Sequence, residues 1–142
     1  MPIEIKLLHA GDEALLQSVA PDLFDDPIDG RATAEFLADP RHHITVAIDD
    51  GVVVGFVSAV HYVHPDKSRP ELWINEVAVA SSHRRRGIAR DLMDVTLEHA
   101  RELGCSETWV LTDRGNEAAM RLYVGSGGEA ADEDAVMFTF RR

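Results

Sequence analysis

The feature that most constrains this chain is a basic glycine turn between an apolar strand pattern and a helical pattern. The turn reads Arg84-Arg85-Arg86-Gly87-Ile88-Ala89, and the apolar run 74–80 precedes it. Backbone N–H groups at a helix start lack intrahelical acceptors, and the helix dipole favours negative charge there. Glycine lets the main chain approach a phosphate, and arginines add charge-assisted donors. The pattern therefore predicts a site for a phosphorylated ligand at a strand-to-helix junction.

Strand and helix patterns alternate along the rest of the chain. Apolar spacing predicts strands over 3–8, 44–48, 52–63, 71–80, 108–112 and 135–140, and helices over 12–19, 88–103 and 116–124. A further short helix is predicted after Gly30, with Ala34, Phe36 and Leu37 available to the core. Asp49-Asp50-Gly51 is typical of a hairpin turn, and Trp73 is expected in the core. This order predicts an α/β fold with a mixed, twisted sheet and helices on both faces. We find no repeat or linker, so residues 1–142 are interpreted as a single domain.

Composition narrows the classes of partner. The formal net charge of −11 argues against nucleic acid, and it suits a cationic small molecule. No apolar run reaches the ~20 residues that span a bilayer, and no signal peptide is visible, so no membrane partner is expected. The single cysteine suits a reducing cytoplasm. The histidine spacings do not favour a metal site.

Two motifs in the expected order resemble the GCN5-related N-acetyltransferase (GNAT) superfamily. Arg84-x-x-Gly87-x-Ala89 matches its cofactor signature, and Asn116-x-x-Ala119-x-x-Leu122-Tyr123 resembles its second acetyl-CoA element. The resemblance implies a GNAT-like sheet of six to seven strands and acetyl-CoA as co-substrate. It implies that the phosphate turn holds the pyrophosphate and that fourth-strand backbone and the second element contact the pantetheine. The implied cofactor residues are Val77, Val79, Arg84, Arg85, Arg86, Gly87, Ile88, Ala89, Asn116, Ala119 and Tyr123.

A further similarity, over nearly the whole chain, is to the aminoglycoside 3-N-acetyltransferases of this superfamily. It is carried by the segments 23–27, 71–77, 83–89 and 110–113. It implies acetyl transfer to the 3-amino group of an aminoglycoside, and hence antibiotic resistance. Asp26, Glu76 and Asp113 are then the candidate acceptor-binding residues, because carboxylates attract and orient an acceptor with several ammonium groups.

Acetyl transfer to an amine needs a group that removes a proton from the ammonium. Glu76, on the fourth strand, and Asp113, after the fifth, are both candidates, and the sequence does not rank them. Strict strand alternation places Glu76 on one face with Ile74 and Ala78, and Asn75, Val77 and Val79 on the other. Asp113 has a structural alternative as the cap of the next helix.

Tyr123 matches the superfamily's hydroxyl donor to the departing sulfur. Since a tyrosine near ~10 is a weaker acid than a thiol near ~8.5, a hydrogen bond to the thiolate is expected rather than full proton transfer. Other acceptors remain open, namely a polyamine, a protein lysine or an amino terminus, as does a non-catalytic CoA-binding sensor. The superfamily's habit of pairing makes a homodimer an option.

Overall fold

The computed structural model describes residues 2–132 and 134–142. Its strands are β1 (Glu4–Leu7), β2 (His42–Asp49), β3 (Val52–Tyr62), β4 (Glu71–Val79) and β5 (Glu107–Val110). Its α-helices are α1 (Gly30–Ala38), α2 (Ile88–Glu102) and α3 (Glu117–Gly125), with short 3-10 helices at Glu13–Gln17 and Ser81–His83. These elements agree with the predicted order up to the last strand.

The five strands form one mixed sheet in the order β1-β2-β3-β4-β5. The first four run antiparallel to their neighbours, and β5 lies parallel to β4. The β2–β3 turn was predicted from Asp50-Gly51, and both residues have positive φ, at 50° and 79°. Two consecutive left-handed residues match the right-handed twist of a hairpin, so this prediction is confirmed.

Helices cover both faces of the sheet, as predicted. Gly55 and Thr45 mark the face that carries α2, because a Cβ at Gly55 would lie 3.2 Å from Leu92 Cδ1 and Thr96 Oγ1 donates to Thr45 Oγ1 at 3.0 Å. The other face meets α1 and the chain before it, where Phe24 stacks on Phe56. Burial of this apolar surface on both sides supplies the main stabilisation.

A β-bulge in β4 corrects the predicted strand faces. Glu76 pairs with Ser58 and Ile74 pairs with Ala59, so Asn75 has no partner on β3. The extra residue reverses the alternation, because Ser58 and Ala59 face opposite sides. Ile74 therefore lies on the α2 face and Glu76 on the α1 face, whereas the sequence placed them together.

The strand count is also lower than predicted. The sheet has five strands rather than six to seven, and residues 135–140, predicted as the last strand, pair with none in the described chain. Phe138 and Phe140 are 79% and 93% exposed. Alternating apolar residues specify which side chains share a face, but a strand also needs a partner edge within reach.

Residues 2–132 and 134–142 contain neither a membrane-spanning helix nor a metal-binding cluster. No helix among them is long and apolar enough to cross a bilayer. No group of three or more His, Cys, Asp or Glu side chains is arranged to hold a metal ion.

Candidate active site

The basic turn has the geometry of an anion site. Arg85 and Gly87 both take left-handed backbone conformations, with φ of 63° and 77°, and Gly87 precedes the first residue of α2. The earliest hydrogen bond of the helix runs from Asp91 N–H to Gly87 O at 3.1 Å. Within the described chain, no acceptor takes a hydrogen bond from the backbone N–H groups of 85–89. Free backbone donors and exposed arginine side chains at a helix start suit a diphosphate.

The turn is held from two sides by side-chain contacts. Ser81 Oγ donates to Asp22 Oδ2 at 2.8 Å, and His83 Nε2 lies 2.7 Å from Asp49 Oδ2 at the end of β2. The hydrogen bond from His83 lowers the pKa of Asp49, so this carboxylate is charged at neutral pH. The residues just before the turn are therefore tied to two other parts of the fold, which fixes where the chain enters it.

The neighbouring strands β4 and β5 separate from each other before they reach the turn. Their pairing ends at Ile74 and Val110, although β4 continues to Val79. In the described residues, the β4 segment from Glu76 to Val79 pairs with β3 on one edge and with no strand on the other. Extended ligands add to such free edges through backbone hydrogen bonds. Val77 and Val79, the predicted pantetheine contacts, lie on this segment.

Tyr123 lines a cavity of about 1030 Å³ on the α2 side of the parted strands. Ile74 and Asp113 line the same cavity. Burial raises the pKa of the Tyr123 hydroxyl, which keeps it protonated and available as a hydrogen-bond donor. Asn116 caps α3, since its Oδ1 accepts from Ala119 N–H at 3.0 Å. The cap sets the start of the helix that carries Tyr123.

Glu76 lies on the opposite side, in a smaller cavity of about 390 Å³. Asp25, Asp26 and Ser58 line it with Glu76. Burial raises the pKa of the Glu76 carboxyl above its ordinary value, and the charge of Asp25 raises it further. A carboxylate with a raised pKa is a stronger base, and the acidic wall suits a cationic ligand.

Asp113 is not brought together with Glu76. It follows β5 and lines the Tyr123 cavity, where its Oδ1 accepts from Gly115 N–H at 2.9 Å. The cap of α3 is Asn116, so the capping alternative for Asp113 does not hold. The two candidate bases therefore line different cavities.

One residue beside the site, Ser58, was not predicted from the sequence, and another, Trp73, was predicted in the wrong environment. Ser58 faces Glu76 across β3 and β4, and its signal was a hydroxyl residue within an apolar strand. Trp73 was expected in the core but is 37% exposed, and its indole stacks on that of Trp109.

Known proteins with sequences similar to this chain include N-acetyltransferases. N-acetyltransferase 8 of Rattus norvegicus is 31% identical over 101 residues, covering 71% of this chain and 46% of that protein. N-acetyltransferase 8 of Mus musculus is 34% identical over 104 residues, covering 73% of this chain and 46% of that protein. The chain thus spans less than half the length of the curated relatives it matches.

Solved structures show the same fold. An aminoglycoside acetyltransferase from an uncultured soil metagenomic sample is 24% identical, with a TM-score of 0.81 and 99% of each chain covered. Ribosomal-protein-alanine N-acetyltransferase from Brucella melitensis is 26% identical, with a TM-score of 0.73, covering 99% of this chain and 100% of that one. Aminoglycoside acetyltransferase AAC(6')-Iy is 22% identical, with a TM-score of 0.78 and 99% of each chain covered.

The family comparison covers the whole site. The family described as "Acetyltransferase (GNAT) family" matches residues 12–127, which include the turn, the parted strands and Tyr123. The chain belongs to this acetyltransferase family.

Proposed function

We propose that this protein is an acetyl-CoA-dependent N-acetyltransferase whose acceptor is a polycationic small molecule with a primary amine. The observation that carries the proposal is the junction of three features at one point of the sheet. An anion-binding helix start lies at the end of β4, the strands part beside it, and a phenol and a carboxylate lie on opposite sides of the gap.

The donor half of the site fits the phosphates and the extended arm of CoA. Backbone N–H groups of 85–89 and the arginine side chains supply donors for the pyrophosphate. The free edge of β4 supplies backbone groups for the pantetheine amides, with Val77 and Val79 in that role. Ala119, one turn before Tyr123, leaves space beside the arm.

The acceptor half lies on the Glu76 side of the sheet. Glu76 and Asp26 provide charge for the ammonium groups of the acceptor. We assign Glu76 as the general base, directly or through water, because its pKa is raised and it faces the acidic cavity. Asp113 holds the loop after β5 and contacts the acceptor from the opposite side of the gap.

The reaction forms a nitrogen–carbon bond and breaks the carbon–sulfur bond of the thioester. Glu76 takes the proton that leaves the ammonium, so the neutral amine attacks the acetyl carbonyl. Backbone N–H groups of β4 stabilise the oxygen that gains charge. The Tyr123 hydroxyl donates a hydrogen bond to the departing thiolate, which takes up the second proton that the nitrogen loses as the amide forms.

Among polycationic acceptors we propose an aminoglycoside, which would make the protein a resistance factor. The sequence similarity favours the 3-amino group, whereas the fold neighbour AAC(6')-Iy carries a different position in its name. NMR of the acetylated product distinguishes the two positions. We also propose that residues 1–142 act as a single catalytic domain in the cytoplasm, as a monomer or a homodimer.

The test is CoA release from acetyl-CoA with sisomicin, gentamicin, spermidine and a lysine peptide as acceptors. We expect turnover with the aminoglycosides, and a ~10²- to 10⁴-fold loss of kcat/KM in Glu76→Gln. Asp113→Asn is the matched comparison, and a larger loss there would move the base to Asp113. Binding of acetyl-CoA without turnover of any amine would favour a CoA-binding sensor.

Two variants test the phosphate turn itself. Gly87→Glu should abolish acetyl-CoA binding, because it introduces a side chain and a negative charge at the anion site. Gly104→Glu is the control, since Gly104 also has positive φ, at 81°, but lies after the far end of α2. Calorimetric binding of acetyl-CoA to Gly87→Glu with wild-type affinity would place the phosphates elsewhere.

A protein amino terminus is the second candidate acceptor. The observation that favours it is the similarity to ribosomal-protein-alanine N-acetyltransferase, at 26% identity over 99% of this chain. A peptide with a free amino-terminal alanine, added to the same assay, distinguishes this function from aminoglycoside acetylation.

A further inference from the structure

The indole ring of the exposed Trp73 stacks on that of the partly buried Trp109, and we call these two rings the tryptophan pair. The two residues are directly opposite in the parallel ladder of β4 and β5. Their ring centroids are 5.4 Å apart with 11° between the planes, and Trp73 is 37% exposed. Large aromatic side chains usually bury their area in a core, so an exposed stacked pair indicates a binding surface.

Hydrogen bonds fix the orientation of the pair. Trp109 Nε1 donates to Tyr62 Oη at 2.6 Å, and Tyr62 Oη donates to Glu71 Oε1 at 3.2 Å. His64 Nε2 lies 3.3 Å from the other oxygen of the Glu71 carboxylate. This chain of contacts holds the Trp109 ring, on which Trp73 stacks, before any ligand arrives, and this lowers the entropy cost of binding.

The tryptophan pair lies on the same face of the sheet as Glu76. Trp73 pairs with Val60 and Glu76 pairs with Ser58, and positions 58 and 60 of β3 point to the same side. The bulge at Asn75 leaves Trp73 and Glu76 as successive side chains on that face. Along this face, the indoles are therefore the next side chains that a ligand held at Glu76 would meet.

We propose that the tryptophan pair is an acceptor subsite that binds an ammonium-bearing saturated ring, adjacent to the ring whose amine is acetylated. The proposal rests on the proposed function and deepens it. Indole faces attract cations and pack against the C–H face of a saturated ring. The carboxylates of Asp25, Asp26 and Glu76 on the same side give the surface the charge that complements such a ligand.

Trp73 and Trp109 are all of the protein's tryptophans, so intrinsic fluorescence reports on this surface directly. Titration of the wild-type protein with sisomicin should produce a saturable change in tryptophan emission. Spermidine, which has cations but no ring, should produce a smaller change at the same occupancy. An unchanged spectrum at sisomicin concentrations that saturate turnover would overturn the proposal. An equal response to spermidine would overturn the preference for a ring.

Kinetics of Trp73 variants supply the second test. Trp73→Ala should raise the KM of sisomicin about five- to tenfold and leave kcat and the KM of acetyl-CoA near wild type. Trp73→Phe, which keeps an aromatic face, should retain most of the affinity for sisomicin. This variant tests the subsite even if Trp73→Ala folds poorly. Wild-type KM for sisomicin in both variants would exclude the subsite.

The result is separable from failure of the proposed function. Turnover of sisomicin with no effect of Trp73 leaves the enzyme assignment intact and removes the subsite. A saturable emission change without turnover of any amine supports the subsite for a cationic ring and removes the acetyl transfer.

Discussion

A chain of three histidines joins α2 to the sheet, and its protonation should destabilise the protein in mild acid. His43 of β2 lies between the other two, with Nδ1 3.0 Å from His99 Nε2 and Nε2 2.7 Å from His61 Nδ1. Burial, and to a smaller extent the neighbouring histidines, lowers the pKa of His43 to about 4. The ring is therefore neutral in the folded protein at pH 7.

The sign and size of the effect follow from linkage. An unfolded His43 takes up a proton near pH 6.5, whereas the folded one does so near pH 4. The stability contribution is therefore complete above pH 6.5 and is lost as the pH falls towards 4. Between pH 7 and pH 5 the free energy of unfolding changes mainly below pH 6.5, at about 1.4 kcal/mol per pH unit. A fully buried ring would therefore lose ~2 kcal/mol of stability over this range. Solvent screening of this half-buried ring reduces the loss to about 1 kcal/mol.

Urea unfolding at pH 7 and pH 5 measures this loss. Between pH 7 and pH 5, the free energy of unfolding of the wild type should fall by about 1 kcal/mol more than that of His43→Asn, because the asparagine side chain does not titrate. His9→Asn is the control, because its exposed side chain lies outside the chain of histidines. An equal loss in the wild type and in His43→Asn would refute the reasoning, whatever the absolute stability of the variant.

The other predictions concern the site and its support. Tyr123→Phe should lower kcat about ten- to a hundredfold with unchanged acetyl-CoA affinity by calorimetry, and wild-type turnover would remove the hydroxyl from the chemistry. Gly55→Ala should cost about 1–3 kcal/mol in urea unfolding, because its Cβ would lie 3.2 Å from Leu92 Cδ1 and 3.3 Å from a backbone oxygen. Gly30→Ala, with open space around the new Cβ, should change the same free energy of unfolding little. Asp49→Asn should raise the KM of acetyl-CoA more than it lowers kcat, since it weakens the contact that positions His83 beside the phosphate turn. A fall in kcat alone would contradict that role.

The parts of the site that depend on local sequence were predictable. The left-handed turn at Gly87, the Asn116 cap and the Asp50-Gly51 hairpin each follow from the conformational preference of a few adjacent residues. The resemblance to a known family gave the order of the donor-binding elements.

The parts that depend on pairing between distant segments were not predictable. The strand faces of β4 were wrong because a bulge belongs to the register between two strands, and Asn75 carries no local signal for it. Trp73 was assigned to the core because its strand is apolar, but the helices that could cover it lie elsewhere on the sheet. Residues 135–140 have strand spacing without a strand partner in the described chain.

The bulge at Asn75 explains how one strand serves both halves of the proposed reaction. Without the extra residue, Ile74 and Glu76 would share a face, and the carboxylate would point towards α2 and the cavity of Tyr123. With it, Ile74 packs on the donor side while Glu76 faces the acidic cavity on the other side. The β4–β5 pairing ends at Ile74, next to the bulge, so the passage between the two sides opens where the alternation reverses. The same irregularity thus places Glu76 and Tyr123, the base and the phenol of the proposed reaction, on opposite sides of the parted strands.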